Sequence, residues 1–181
     1  MEIVKEILIE TFGNDKSVQD VVKQGSKKTE RLKKLLDYAI FKGKNEGEIY
    51  LNKSKTACAI VIDSEKNISL FQTIFWNFKL AYSVIGFGNV YRILKRESLL
   101  QKFYPGTPYL YLWFIGVKGS EKGKGVGSKL LKEIKEKRNG KPIYLVTSAE
   151  RNFPFYERNG FKSVANLSKE MGYSLHIYRY R

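Results

Sequence analysis

The chain has 181 residues and a formal net charge of +15 at pH 7, because 33 lysines and arginines outnumber 18 aspartates and glutamates. This length predicts a single domain, residues 1–181, with a core large enough to fold without support from metals or disulfides. The only cysteine, Cys58, excludes an internal disulfide and a cysteine-based metal site, and we expect no metal.

The first third of the chain predicts two helices followed by a hairpin. Apolar residues recur at helical spacing in residues 3–12 and again in residues 29–42. Gly47–Leu51 and Thr56–Ile62 then read as two short strands joined by a polar turn. The first predicted helix carries acidic residues and lacks the uninterrupted apolar segment of a signal peptide, so we expect a cytoplasmic protein.

Residues 63–108 are the most individual part of the sequence, and their spacing predicts two or three helices. Polar residues interrupt this apolar segment, which argues against a transmembrane span. An aromatic helix lying on a membrane surface is an alternative. We favour a helical insertion that folds over the sheet and lines part of a binding pocket. The interrupting residues are Gln72, Asn77, Lys79, Asn89 and Arg92.

The rest of the chain is organised around a strand, a glycine turn and a helix. Tyr109–Val117 is uncharged and apolar on both alternating faces, which predicts a strand covered on both sides. Gly140 and Pro142 end the predicted helix. That helix is indicated by four apolar residues at helical spacing, Val126, Leu130, Leu131 and Ile134.

The glycine turn is typical of a site that binds phosphate. Gly123, Gly125 and Gly127 let the backbone approach a ligand, and the first turn of the helix presents unpaired amides at the positive end of its dipole. The P-loop spacing is absent, and the dinucleotide motif requires a glycine where Ser128 stands. A plain tight turn is the alternative interpretation.

A second strand, Ile143–Thr147, and a short helix closed by Gly160 follow. With these elements the chain resembles the GNAT N-acetyltransferases over Tyr109–Phe161. KGKGVG, from Lys122 to Gly127, corresponds to the family signature Q/R-x-x-G-x-G/A. NFPFYERNGF, from Asn152 to Phe161, corresponds to N-x-x-x-x-Y-x-x-x-G-F with one residue fewer between Asn and Tyr. LWFIGV, GKGVGSKLL and PFYERNGF are most similar to the puromycin-acetyltransferase-like branch.

The resemblance implies an α+β (mixed α/β) fold. Its central, mostly antiparallel twisted sheet has about six strands, is splayed between its two middle strands and is flanked by helices. Residues 63–108 would be an extra helical insertion before the central strand, and residues 109–161 the acetyl-CoA-binding core. The first strand of the family is expected to be missing or very short. Phe161–Asn166 and Tyr173–Tyr180 read as two closing strands.

The resemblance also implies transfer of an acetyl group from acetyl-CoA, as co-substrate, to a primary amine by direct attack on the thioester. Tyr156 would be the general acid that protonates the CoA thiolate, with a packing role in an aromatic core as the alternative. Asn152 would hydrogen-bond the pantetheine arm or, alternatively, cap the short helix. The expected cofactor-binding residues are Ile115, Val117, Lys122, Gly123, Lys124, Gly125, Val126, Gly127, Ser128 and Asn152.

No general base is predicted, because relatives in this branch often carry Glu where this chain has Val146. His176, the only histidine, lies on an alternating strand and is interpreted as a surface or packing residue. A weakly active or inactive acetyl-CoA-binding regulatory domain is therefore an alternative. A basic nucleic-acid-binding protein is another, although no recognised motif accompanies the lysines and we expect no specific nucleic-acid partner. The acceptor could be a small molecule, an antibiotic or a protein amine, and the protein a monomer or homodimer.

Overall fold

The computed structural model describes residues 1–13, 25–66 and 87–181. The predicted polar interruptions Gln72, Asn77 and Lys79, and the side chain of Asn89, lie outside the described residues. The part of the predicted insertion that is described contains one helix, which ends a few residues before the central strand.

The described residues form six α-helices and six strands, with a short 3-10 turn before the fourth helix and another before the fifth. The helices are α1 Glu2–Phe12, α2 Lys28–Glu46, α3 Phe87–Gln101, α4 Val126–Glu136, α5 Phe153–Arg158 and α6 Ser168–Met171. The strands are β1 Gly47–Leu51, β2 Ala57–Asp63, β3 Leu110–Val117, β4 Ile143–Thr147, β5 Lys162–Asn166 and β6 His176–Tyr180.

The six strands form one sheet in the order β1-β2-β3-β4-β6-β5. All neighbours are antiparallel except β3 and β4, which run parallel because α4 crosses between them. The predicted mixed α/β fold with a mostly antiparallel six-stranded sheet is therefore confirmed. None of the helices in residues 1–13, 25–66 and 87–181 combines the length and the apolar composition of a membrane span.

The sheet is splayed between its two middle strands. β3 and β4 pair at only two positions, Leu110 with Ile143 and Tyr111 with Tyr144. Beyond these positions β3 continues to Val117 while paired with β2 alone. A gap therefore opens between the carboxyl-terminal halves of the two parallel strands.

A β-bulge in β3 accounts for this change of direction. Val61 of β2 pairs with Leu112, and its neighbour Ile60 pairs with Phe114, so Trp113 is an extra residue in β3. A bulge bends its strand and increases the local twist. β3 therefore turns away from β4 directly after the two paired positions.

The bulge also changes which residues of β3 face each side of the sheet. Leu112 and Ile115 pack in the cluster formed with α4, whereas Phe114 packs with α1 on the opposite face. A Cβ at Gly116 would lie 2.9 Å from Thr11 Oγ1, so α1 lies directly against β3. The central strand is thus covered on both faces, as its apolar sequence predicts.

Several boundaries differ from the predictions. α2 continues to Glu46, where Lys42 Nζ and Glu46 Oε2 form a 2.6 Å ion pair within the last turn. α4 ends at Glu136 rather than at Gly140, which instead has a φ of +78° in the following turn. The predicted strand Tyr173–Tyr180 begins only at His176 because α6 and its connection occupy the preceding residues.

Candidate active site

The gap between β3 and β4 opens into a cavity of about 1130 Å³ that reaches both faces of the sheet. On the α4 face, the described residues that line it belong to the glycine turn, the start of α4 and α5. On the other face they belong to α1, α2 and α3. One continuous space therefore joins the glycine turn to the opposite side of the molecule.

The free edge of β3 borders this cavity with unpaired backbone groups. Lys118 N donates to Thr56 O at 2.8 Å, which shows that alternate residues of β3 pair with β2. The backbone groups of Ile115 and Val117 therefore point the other way, into the gap. Among the described residues, the Val117 carbonyl receives only a 3.5 Å contact from Thr11 Oγ1. These are the two strand residues predicted to pair with the pantetheine arm.

The glycine turn leaves free space and free donors at the start of α4. Gly123 and Gly125 have φ values of +79° and +76°, and a Cβ added to either would meet no atom within 4 Å. In α4, the first backbone amide that donates to the preceding turn is Lys129 N, which donates to Gly125 O at 3.0 Å. Within residues 1–13, 25–66 and 87–181, no acceptor receives a hydrogen bond from the amides of Val126, Gly127 and Ser128. This geometry fits an anion such as the pyrophosphate of CoA.

The other predicted residues of the turn have different surroundings. Lys122 is exposed and lines the cavity. Lys124 directs its ammonium group to Glu121, with 3.2 Å between Nζ and Oε1. Gly127 is buried, and a Cβ there would lie 3.2 Å from Phe155 Cζ, so the absence of a side chain lets α4 approach α5. Only the first two glycines face open space.

The hydroxyl of Ser128 connects α4 to the end of α5. Asn159 Nδ2 donates to Ser128 Oγ at 3.1 Å and also to Phe155 O at 2.8 Å. Ser128 lines the cavity with its half-buried side chain. These contacts hold the glycine turn and α5 in a fixed relation.

A Schellman motif positions Tyr156 at the end of α5. Phe161 N donates to Tyr156 O at 3.0 Å, Gly160 N donates to Glu157 O at 2.9 Å, and Gly160 has a φ of +80°. The Tyr156 and Phe161 rings pack 6.0 Å apart, which is the apolar contact that accompanies this motif. Tyr156 is 7% exposed and lines the cavity.

Asn152 precedes α5 and lines the same cavity with a half-buried side chain. Its side chain makes no capping hydrogen bond to the helix. Its backbone amide bonds to Ala149 O at 2.8 Å, which closes the preceding 3-10 turn. The amide side chain of Asn152 is therefore available to a ligand.

The strand β4 supplies no carboxylate to the cavity, and Val146 lines it with an apolar side chain. His176 is half-buried and packs against Phe153, with ring centroids 4.5 Å apart. It is not among the described residues that line the cavity. The two carboxylates that do line it are Glu97 and Glu121, within the described residues.

A tyrosine cluster at the cavity was not predicted. Tyr104 stacks on Tyr109 at 4.9 Å and makes edge contacts with Tyr111 at 6.1 Å and Tyr144 at 5.6 Å. Burial raises the pKa of Tyr111 to about 12 and raises the pKa values of Tyr104 and Tyr109 as well. These phenols are neutral at physiological pH, as a tyrosine with its ordinary pKa also is. The aromatic residues are visible in the sequence, but Tyr111 and Tyr144 reach the same cluster only because β3 and β4 pair in the sheet.

Comparison with known proteins agrees with this architecture. The family model described as an acetyltransferase (GNAT) domain matches residues 72–163, which is just over half of the chain. The Corynebacterium glutamicum structure named histone acetyltransferase HPA2 and related acetyltransferase is similar with a TM-score of 0.69 and 21% identity, covering 98% of this chain and 88% of that one.

Two further structures are similar over almost the whole chain. Drosophila melanogaster polyamine N-acetyltransferase has a TM-score of 0.60 and 10% identity, covering 99% of this chain and 94% of that one. Mosquito arylalkylamine N-acetyltransferase like 5b has a TM-score of 0.56 and 12% identity, covering 98% of this chain and 93% of that one. At these identities the likeness is one of fold.

Proposed function

The chain belongs to the GNAT acetyltransferase family, and we propose that it transfers the acetyl group of acetyl-CoA to a primary amine. The observation that carries this proposal is that the glycine turn, the free edge of β3 and Tyr156 all border one cavity. The segments LWFIGV, GKGVGSKLL and PFYERNGF favour the puromycin-acetyltransferase-like branch within the family. We also propose residues 109–161 as the acetyl-CoA-binding core and residues 63–108 as an insertion that borders the acceptor.

In this proposal the amides of the glycine turn and of the first turn of α4 bind the pyrophosphate of CoA. Ile115 and Val117 offer unpaired backbone groups to the pantetheine arm, which would complete the edge of β3 as a further strand does. Asn152 adds a side-chain hydrogen bond to the same arm. Lys122 supplies a cation near the phosphates, without the planar donor that Gln or Arg has in relatives.

The acceptor amine then attacks the thioester carbonyl, and the resulting tetrahedral intermediate collapses with departure of the CoA thiolate. Tyr156 lines the cavity and is held at the end of α5, so we assign it as the acid that protonates the departing sulfur. No side chain is assigned as general base, and proton removal through water is compatible with the site. A cytoplasmic setting is part of the proposal, and the single buried cysteine is compatible with it.

Thiol release from acetyl-CoA in the presence of a panel of small amines, amine antibiotics and peptides tests this function. We expect saturable release with at least one class of acceptor. Val146 favours one alternative, a regulatory domain that binds acetyl-CoA without turnover. The reason is that relatives in this branch often carry Glu at this position, and valine cannot act as a base. Stabilisation by acetyl-CoA without thiol release from any acceptor would support that alternative instead.

Binding to DNA is expected to be weak and indifferent to sequence. The net charge of +15 attracts polyanions, but contacts with phosphate alone release counterions and lose affinity as salt rises. Titration of two unrelated duplexes at about 50 and 200 mM salt should show at least a tenfold loss of affinity for both. CoA should compete for only part of this binding. A tight, sequence-selective complex that persists at the higher salt would contradict the enzymatic function as the primary one.

Replacing Asn152 with Ala separates the two roles predicted for this residue. Because its side chain makes no capping hydrogen bond, the melting temperature of the free protein should hardly change. Loss of a true cap would instead lower the free energy of unfolding by about 1 kcal/mol. Loss of one hydrogen bond to the ligand should raise the Kd of acetyl-CoA by roughly 2- to 10-fold. Calorimetry and thermal melts measure both quantities.

Asn166→Ala is the matched control, because the Asn166 Oδ1 accepts a 2.9 Å bond from Ser168 N at the start of α6. This variant should lower stability and leave acetyl-CoA binding unchanged. If Asn152→Ala lowered the stability of the free protein and left the Kd of acetyl-CoA intact, Asn152 would be a structural residue.

A further inference from the structure

The cavity has a second polar region, on the face of the sheet opposite α4. Arg96 and Glu97 of α3 line it together with Tyr104, Tyr109 and Tyr111. Tyr111 is the last residue of β3 that pairs with β4, so this cluster lies where the gap between the strands begins. The glycine turn, in contrast, lies on the α4 side. The two ends of the cavity therefore have different chemistry.

Arg96 is the unusual residue of this cluster. Its side chain is 21% exposed, and its buried Nε has no hydrogen-bond partner in the part of the chain that the structure describes. Its ion-pair partner among residues 1–13, 25–66 and 87–181 is Glu97, whose Oε1 lies 3.9 Å from Arg96 Nη1, which is too far for a hydrogen bond. The Glu97 side chain is 52% exposed. Among the described residues, this largely buried guanidinium therefore lacks the hydrogen-bonded carboxylate that such groups normally have.

The tyrosines do not replace a carboxylate: Tyr111 shares a side-chain hydrogen bond with Arg96, but a neutral phenol hydroxyl is a weaker acceptor. What they supply is an aromatic wall, in which Tyr104 and Tyr109 stack at 4.9 Å. A molecule that fits here combines an anion, placed against the planar donors of Arg96, with an apolar or aromatic body.

We propose that the acceptor is a small amine that also carries a carboxylate, as an amino acid does, with Arg96 binding the carboxylate and the tyrosines packing against its apolar body. This inference rests on the proposed acetyltransferase function, because it assigns this end of the cavity to the acceptor. Arg96 acts in positioning and specificity, and it takes no part in the transfer of protons or of the acetyl group.

Two acetylated product analogues that differ only in charge test the proposal. N-acetyltyrosine has a free carboxylate, and N-acetyltyrosinamide replaces it with a neutral amide of the same size. Binding of each is measured by calorimetry, both in the free protein and with CoA present. We expect the carboxylate to bind about 10- to 100-fold tighter, which is the usual effect of one hydrogen-bonded charge.

Variants of Arg96 identify the group responsible. Arg96→Gln should remove the preference for the carboxylate, and Arg96→Lys should retain part of it because the charge remains without the planar fork. Arg92→Gln is the matched control, since Arg92 is exposed on the same helix and its loss changes the net charge equally. Stabilisation by acetyl-CoA should be the same in all four proteins.

Equal binding of the two probes to the unmodified protein, or no binding of either, overturns the proposal. So does a preference that survives in Arg96→Gln. Should that variant fail to fold, the comparison of the two probes on the unmodified protein and on Arg96→Lys still decides the question. Failure of the acetyltransferase function has a different outcome, in which the carboxylate preference is present but no amine releases thiol from acetyl-CoA.

Discussion

Tyr156→Phe is expected to lower kcat by on the order of 10²-fold, with the KM for acetyl-CoA little changed. The substitution removes only the hydroxyl of a residue that lines the cavity and is fixed by the Schellman motif at Gly160 and Phe161. Without a proton donor, the developing negative charge on sulfur is not neutralised as the intermediate collapses. The ring contacts with Phe161 and Tyr178 are retained, so the fold should persist. Steady-state and single-turnover kinetics measure the effect on the chemical step.

Tyr178→Phe is the matched control for this experiment. Tyr178 belongs to the same aromatic cluster, 6.0 Å from the Tyr156 ring, but it is not among the described residues that line the cavity. Its hydroxyl donates to Glu157 Oε1 at 3.0 Å. Loss of this bond should lower stability slightly and leave kcat unchanged. Equal kcat values for Tyr156→Phe and the unmodified protein, with chemistry limiting, would show that Tyr156 is a packing residue.

Gly125→Val is expected to abolish the stabilisation of the protein by acetyl-CoA and by desulfo-CoA. Ligand at 100 times its Kd stabilises a folded protein by about 2.7 kcal/mol, or roughly 5–10 °C in Tm for a chain of this length. A side chain at Gly125 would enter the open space in front of the unpaired amides of α4, which is the space assigned to phosphate. Thermal melts with and without each ligand measure the shift.

The substitution also strains the backbone, because Gly125 has a φ of +76°. That conformation costs other residues about 1–2 kcal/mol, so the free variant should melt at a lower temperature. Gly140→Val provides the matched control, since Gly140 has a φ of +78° and equally open surroundings but lies beyond the end of α4. Both variants should lose similar stability, and only Gly140→Val should keep the shift with acetyl-CoA. A full shift in Gly125→Val would remove the phosphate site from this turn.

The features that the sequence predicts well are those that depend on neighbouring residues. The apolar run of β3, the glycines before α4 and the closure of α5 by Gly160 are local patterns, and each appears in the structure close to its predicted place. The Schellman motif shows why, because its two hydrogen bonds join residues only three and five positions apart. Mixed α/β architecture follows from the order of such elements.

Boundaries and side-chain surroundings were less predictable because they depend on contacts between distant segments. α2 extends past its predicted end, and Gly43 in this extension packs against β1 and β2. A Cβ added at Gly43 would lie 2.7 Å from Ile60 Cγ2. Gly127 reads as a third phosphate-site glycine in sequence, but in the structure its missing side chain admits Phe155. The sequence pattern is the same for a glycine that faces a ligand and one that faces a helix.

By itself, the sequence determined the strand, glycine turn and helix, the second motif around Tyr156, and hence the family to which the chain belongs. The tertiary structure alone decided where the sheet opens, because the bulge at Trp113 is defined only by the pairing of β3 with β2. It also decided that Arg96 lies beside Tyr111 at the start of that gap. A local pattern records the conformation of a segment, whereas the surroundings of a buried charge are set by residues that are far apart in the chain and meet only when the sheet forms.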